Sequence, residues 1–329
     1  MSRASQEIPD VSVVGATGYA GALAARLIDG HPGLGLAAVT SREDSGKPLR
    51  EIAPESELTA ELESFDADSI AERSDAVIVG YPHGAAAPVV AELRQRGLPV
   101  VDLSGDDRLS AERYERYYGG QAIPELLAEA VYGLTELYRD EISEAELVAN
   151  PGCYATAAIL ALAPLREYLT EVVIDGKSGV SGAGRNAVVA PDARPYDVSG
   201  HPHLGELRQE LGEDIPITFT PHLLPEHQGL LVSCYVTPNT ELTQAEVDDL
   251  FHEAYFGEPF VHFGGELPGI NEVRRTNVGR IAARVDPESG KILVFSAIDN
   301  LWKGAAGQAL QNLNLMLGLE ETAGLRAGR

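Results

Sequence analysis

Lysine is nearly absent from this chain: Lys47, Lys177, Lys291 and Lys303 are the only four, against 50 acidic residues and a net charge of −25. So dense a negative field repels polyphosphate, which argues against nucleic acid as a partner. Cysteine is as scarce. Cys153 and Cys234 are too few for a disulfide framework, and no Cys/His spacing supplies a zinc ligand set, so no metal is expected. No signal peptide and no apolar run of about 20 residues occurs, so the expectation is a soluble protein in a reducing, cytoplasmic compartment. Aromatics are 6% of the residues, which leaves alanine, valine, leucine and isoleucine to fill the interior. No repeat or low-complexity segment divides the 329 residues, a length that suits two domains.

Apolar runs recur along the whole sequence, so the acid decorates a folded surface and does not signal disorder. An acid-rich, lysine-poor composition resembles that of proteins from high-salt cytoplasms, where the reach of self-repulsion shrinks to about 3 Å at 1 M salt.

The stretch with the most chemistry is Val148-Ala-Asn-Pro-Gly-Cys-Tyr-Ala-Thr156. Leu147 and Val148 read as a strand end, Pro151 and Gly152 as a sharp turn, and Tyr154 to Leu162 as a helix. Cys153 then sits at a helix N-terminus, where unpaired N–H groups and the positive end of the dipole favour the thiolate. That is the setting of a covalent nucleophile, with a buried packing cysteine as the plainer reading. Cys234, in the apolar run Leu230 to Val236, reads as core.

Upstream, the strand Val11 to Val14 ends in Gly15-Ala-Thr-Gly-Tyr-Ala-Gly21 and opens a helix, Ala22 to Asp29. Glycines in that place let the backbone approach a pyrophosphate, so Gly15, Ala16, Thr17 and Gly18 are candidate dinucleotide contacts. The second strand, Leu36 to Val39, runs into Thr40-Ser41-Arg42. A hydroxyl and a guanidinium where an NAD enzyme carries an acid suit a 2′-phosphate and favour NADP; the bland alternative has Arg42 solvating a loop. Strands at Ala76 to Gly80 and Pro99 to Leu103, with a helix at Ala86 to Arg96, point to a parallel doubly wound sheet. His83 and Ser104 follow those strands and are cleft candidates, although His83 equally suits a loop-bonding role.

Beyond Cys153, strands at Val172 to Ile174, Ile217 to Thr220, Leu230 to Val236, Gly279 to Val285 and Ile292 to Ala297 suggest a second domain on a mixed or antiparallel sheet. Lys177-Ser-Gly-Val-Ser-Gly-Ala-Gly-Arg185 reads as a glycine-rich loop whose amides, with Arg185, could hold an anion, or as a linker. His201-Pro-His203 offers an imidazole for proton transfer, with His222 and His227 as competitors. The C-terminal run Ile298 to Gln308 leads into a helix carrying Leu310, Leu313 and Leu317, expected to pack back on the first domain.

A cysteine nucleophile, a dinucleotide loop and an imidazole specify reduction of an acyl phosphate through a thioester, or its reverse. The motifs Gly15 to Gly21, Thr40-Ser-Arg42, Pro82-His-Gly84, Val101-Asp-Leu-Ser104, Tyr132-Gly-Leu134, Asn150-Pro-Gly-Cys-Tyr154, Lys177 to Arg185, Gly200-His-Pro-His203 and Asp299 to Gln308 cover nearly the whole chain. In order and spacing they resemble the N-acetyl-γ-glutamyl-phosphate reductases, including relatives that act on glutamate or aminoadipate borne by a LysW-type carrier protein. The resemblance implies an α/β, semialdehyde dehydrogenase-like fold: a Rossmann-type NADP-binding domain at 1–152, completed by the C-terminal helix at about 300–329, and an α+β catalytic and dimerisation domain at 153–299. It implies Cys153 as the acyl-accepting nucleophile, His203 (with His201 the alternative) as the catalytic imidazole, Asn300 or Asn312 near the nicotinamide, and a homo-oligomer, dimer or tetramer, built through the second domain. Ser104, Asn150, Arg185 and His222 complete the candidates for substrate or phosphate contact.

The departures concern substrate choice. Pro225-Glu-His-Gln-Gly229 stands where the family often has Pro-Met-x-Arg-Gly, a change that bears on recognition if that arginine meets a substrate anion. Pro202 replaces a frequent arginine, and Gly105-Asp-Asp107 replaces a more usual Ala-Asp-Phe. The halophile-like composition points towards archaea and so towards a carrier-linked substrate, with Arg274, Arg275, Arg280 and Arg284 as a basic patch for an acidic carrier. Rival readings are an aspartate-semialdehyde dehydrogenase, with the same cysteine and chemistry, and a non-catalytic NADP sensor. A short-chain reductase needs a Tyr-x-x-x-Lys pair that is missing.

Overall fold

The computed structural model describes residues 8–120, 123–185, 192–198 and 200–327. Among them the chain separates into two units, Met1–Arg108 with Ala122–Asn150 and Ala306–Leu325, and Leu109–Gln121 with Pro151–Ala305 and Arg326–Arg329. Residues 109–121, placed in the first domain by the sequence reading, cluster with the second unit. Leu109 and Tyr117 pack so closely on Gly205 that a methyl group there would touch both.

The first unit is a parallel sheet of seven strands among the described residues: β1 (Asp10–Val14), β2 (Gly35–Thr40), β3 (Leu62–Glu63), β4 (Ala76–Val79), β5 (Val100–Asp102), β6 (Val131–Tyr132) and β7 (Leu147–Ala149), ordered β3-β2-β1-β4-β5-β7-β6. Central strands covered on both faces need unbroken apolar runs, and all of β4 and Val11–Val14 of β1 are buried. Strand order reverses beside β1, between β2 and β4, the position where such sheets bind ligands. The first helix, Tyr19–Asp29, starts three residues before the sequence reading placed it, because Gly18 is already extended and accepts the first helical bond from Ala22 N.

The helix Gly307–Met316 belongs to this unit and is held by buried amides, not by apolar contact alone. Gln308 Nε2 donates to Thr135 Oγ1 at 2.6 Å, Thr135 Oγ1 to Asn312 Oδ1 at 2.7 Å, and Asn312 Nδ2 to Gly133 O at 2.8 Å and Asn150 Oδ1 at 3.2 Å. Networks of this kind favour one packing, since a slipped register would leave more of these buried amides unpaired.

The second unit carries a mixed sheet of β8 (Leu169–Gly179), β9 (Arg194–Pro195), β10 (Ile217–Leu224), β11 (Leu230–Pro238), β12 (Val261–Phe263), β13 (Gly279–Val285) and β14 (Ile292–Ile298), ordered β12-β13-β14-β11-β8-β10-β9. Against one face lies the helix Cys153–Leu162, in which Tyr154 through Leu162 are all buried. A helix apolar all round belongs in a core, and this one anchors the unit. Lys177-Ser-Gly179, expected in a loop, instead extends β8, because it pairs with β10 on one side and β11 on the other. Among the described residues no helix is long and apolar enough to cross a membrane.

Candidate active site

In the first unit, Gly15 takes φ +85°, a left-handed value that favours glycine, and a Cβ there would strike the Tyr81 ring. The loop is tied to the end of β2: Gly15 N donates to Thr40 Oγ1 at 3.3 Å and Ala16 N to Thr40 O at 2.9 Å. Thr40 therefore faces inward and shapes the loop, contrary to its expected place beside a 2′-phosphate. Ser41 is also buried, its hydroxyl accepting from Glu43 N and Asp44 N. Of the three residues at this strand end, only Arg42 keeps an exposed polar head, stacked 4.2 Å over Tyr81 with Nη2 on Ala85 O. Thr17 and Gly18, at the open end of the loop, lie at the N-terminus of the Tyr19–Asp29 helix, where an anion is favoured.

After β5, Ser104 is engaged in a buried turn. Its hydroxyl donates to Asp102 Oδ2 at 2.5 Å and accepts from Asp106 N at 3.0 Å. Asp106 accepts from Gly84 N and Ala87 N and lies 2.5 Å from His83 Nδ1. Ser104 is thus a loop-former, whereas His83, 38% exposed, is oriented by a carboxylate. Burial pushes Asp102 up to about 6 against the opposing hydrogen bonds from Ser104. Asn150 is equally committed: its N–H goes to Asp102 O, its carbonyl to Arg108 Nε at 2.7 Å and its side-chain oxygen to Asn312. Asn312, expected near a nicotinamide, has both N–H groups engaged within the scaffold.

The second unit carries the candidate nucleophile. Cys153 is the first residue of its helix, partly exposed, and the first helical bond runs from Thr156 N to Gly152 O. Cys153 therefore opens the first turn of the helix, the end at which N–H groups lack intrahelical acceptors. The His203 ring lies directly on Gly152, leaving no room for a Cβ. His203 N donates to His201 Nδ1 at 3.2 Å, and the two rings meet edge to face at 4.5 Å. His201 is nearly buried, enclosed by Tyr154, Phe219 and Tyr196. Of the two, His201 is the enclosed ring and His203 the one set against Gly152, the residue before Cys153.

Glu206 is a candidate site residue that the sequence reading missed. It is fully buried, accepts from Gly152 N at 2.9 Å through Oε2 and places Oε1 3.9 Å from His203 Nε2. The signal was its spacing: residues three apart on the helix His203–Leu211 share a face. The other imidazoles lie elsewhere. His222 sits 3.1 Å from Asp175 Oδ1 on β10, and His227 is exposed.

The glycine-rich stretch is less open to anions than its sequence suggests, since Gly179 N, Val180 N and Ser181 N donate to the carbonyls of Gly229, Glu226 and His227. What it gives the site is Gly182, whose Cβ position lies 4.0 Å from Cys153 Sγ. Arg185 follows, partly exposed, and 186–191 lie outside the described residues. Asn300 is buried, accepting from Gly229 N at 2.7 Å and donating to Ser181 Oγ at 2.9 Å, so it braces these loops. At the departure from the family pattern, Gln228 Nε2 reaches both oxygens of Asp299 at 2.9 and 2.7 Å. The amide at 228 is thus engaged within the protein.

Residues 10–145 match the family model described as "Semialdehyde dehydrogenase, NAD binding domain", and residues 153–300 match "Semialdehyde dehydrogenase, dimerisation domain". Among solved structures, aspartate semialdehyde dehydrogenase II from Vibrio cholerae superposes with a TM-score of 0.73 at 17% identity, covering 95% of this chain and 99% of that one. Aspartate semialdehyde dehydrogenase with NADP from Candida albicans does so at 0.71 and 15%, covering 94% and 99%. These two share the fold. Sequence relatives are nearer: N-acetyl-gamma-glutamyl-phosphate reductase from Geotalea daltonii is 44% identical across 96% of this chain and 98% of its own length. The protein of that name from Pelotomaculum thermopropionicum is 44% identical across 96% and 97%. With that identity along nearly its whole length, the chain belongs to the N-acetyl-gamma-glutamyl-phosphate reductase family.

Proposed function

We propose that the protein reduces the acyl phosphate of an N-blocked glutamate to the semialdehyde with NADPH, through a thioester on Cys153. The observation that carries this reading is the grouping of Cys153 at a helix N-terminus with His203 on the adjoining Gly152 and Glu206 behind both. The thiolate attacks the acyl carbon, the bond to the phosphate oxygen breaks, and inorganic phosphate leaves. NADPH, held at the Gly15 to Gly18 loop and by Arg42, would supply the hydride that reduces the thioester. His203 gives a proton to the developing alkoxide and takes it back as the carbon–sulfur bond breaks, releasing aldehyde and thiolate. The N–H groups of the first helical turn stabilise the oxyanion. Arg42, held on Tyr81, suits the 2′-phosphate that separates NADP from NAD.

Acetyl is the blocking group with the better support, because the relatives quoted carry that substrate in their names. The carrier-linked glutamate or aminoadipate reading keeps the acid-rich composition in its favour, but its basic patch is largely engaged. Arg274 bonds Glu226 and Gln228 O, Arg280 pairs with Glu272, and Arg284 bonds the carbonyls of Ala283 and Gly265.

The test is phosphate-dependent reduction of NADP in high salt, with free N-acetylglutamate semialdehyde or carrier-linked semialdehydes, for the parent and Cys153→Ser. Turnover of the acetylated compound, abolished by the substitution, is the expected result. Activity with carrier-linked substrates alone would move the reading to the carrier branch, and full activity of Cys153→Ser would sink the thioester route.

A further inference from the structure

Asp299, just after β14, is fully buried and takes no part in the chemistry above. Its Oδ1 accepts from Leu301 N at 2.9 Å and Trp302 N at 3.1 Å, its Oδ2 from Arg275 N at 2.6 Å, and both oxygens accept from Gln228 Nε2. Its main-chain oxygen accepts from Gly304 N at 2.9 Å, a bond spanning five residues that closes the π-turn Trp302–Ala306. Such turns are rare inside helices and concentrate at functional positions. Here the turn puts Gly304 against the nucleophile: a Cβ at 304 would stand 2.7 Å from Cys153 Cβ and 3.3 Å from Cys153 Cα. The web extends outward, since Arg274 Nη2 holds Gln228 O at 3.0 Å and Glu226 Oε2 at 3.1 Å.

We propose that Asp299 is a positioning residue for Cys153: its carboxylate, itself held by Gln228, caps the π-turn and so keeps the Gly304 backbone against the nucleophile's Cα and Cβ. This rests on Cys153 being the nucleophile. The capped groups are all donors, so only a side chain with two acceptor oxygens satisfies them. An amide at 299 turns one acceptor into a donor facing donors, which leaves at least one buried N–H without a partner and loosens the turn. The thiolate then loses its fixed direction relative to the helix N-terminus, and misplacement by about 1 Å is enough for losses near 100-fold.

Three measurements on the full chain in high salt test this. Asp299→Asn is expected to lower kcat about 30-fold, with KM for NADP within twofold of the parent. Iodoacetamide labelling of Cys153 against pH separates positioning from charge. Removing a negative charge by itself lowers the labelling midpoint, whereas losing alignment with the helix N-terminus raises it, which is the expected result. Gln228→Glu sets a second carboxylate on Asp299, and the pair then shares a proton. Its kcat is expected to fall with rising pH where the parent is flat, and this variant carries the test if Asp299→Asn does not fold. Parental kcat in both variants, or a lowered labelling midpoint in Asp299→Asn, would overturn the proposal. Cys153→Ser keeps the two ideas apart: if it is inactive while Asp299→Asn turns over normally, only the positioning role fails; if it is active, the nucleophile reading fails first.

Discussion

At the scale of single residues, the proposed catalytic unit is built around what leans on Gly152. His203 covers it on one side and Glu206 takes its N–H, so imidazole, carboxylate and nucleophile share one short piece of backbone. Glu206→Gln keeps an acceptor for Gly152 N but removes the charge beside the imidazole. The expected outcome is a drop in kcat of about 10-fold, the low end of what proton-transfer groups contribute. Parental kcat in this variant would show that Glu206 holds only the backbone. The residue types were legible in the sequence. Their commitments were not: Thr40, Ser41, Ser104, Asn150, Asn300 and Asn312 are polar residues in the right motifs, yet each is engaged in holding a loop.

At the scale of elements, the turn after β5 departs most from ordinary practice. Asp107 is 4% exposed, and neither of its carboxylate oxygens has a hydrogen-bond partner among the described residues. Burial, then repulsion from Asp102, Asp106 and Glu129, pushes its carboxyl up to about 8. The folded protein therefore holds this proton through a range in which the unfolded chain, titrating near 3.9, has released it. Stability from this group is complete below about pH 4 and is lost as pH rises towards 8. Asp107→Asn removes that dependence, so its gain in Tm over the parent should be larger at pH 8.5 than at pH 5 when melts are compared at fixed salt. An equal shift at both values would mean that the carboxyl finds a partner in solution. A carboxylate where the family often has an aromatic ring was visible in the sequence; only the fold buries it.

At the scale of the whole molecule, two surface properties matter. A net charge of −25 opposes compaction, and salt shortens its reach from about 10 Å at 0.1 M to about 3 Å at 1 M. Thermal melts should accordingly rise steeply between 0.1 and 2 M KCl, and a Tm flat over that range would remove the high-salt reading. The second unit also leaves one sheet face open, where Val173, Tyr235 and Leu293 stand in register across β8, β11 and β14, with Val173 37% and Tyr235 39% exposed. Together with the match to a dimerisation domain, this supports a homo-oligomer formed on that face. Tyr235→Glu should reduce the mass measured by light scattering in high salt; an unchanged mass would place the interface elsewhere.

The sequence by itself determined the family and the fold class, and it marked Cys153 and the Gly15 to Gly21 stretch as the candidates for nucleophile and nucleotide loop. These rest on local rules, such as strand–glycine–helix order and a cysteine after Pro-Gly, which act over a few residues and survive without tertiary context. Tertiary structure decided which polar groups are left to do chemistry. Lys177 to Arg185 reads as an anion-binding loop or a linker until β10, β11 and the carbonyls of Glu226, His227 and Gly229 take up the backbone of 177–181. Gln228 reads as a substrate-facing substitution until Asp299, 71 residues away, claims its amide. A hydrogen bond needs both partners, and where the second comes from a distant segment no local pattern announces it.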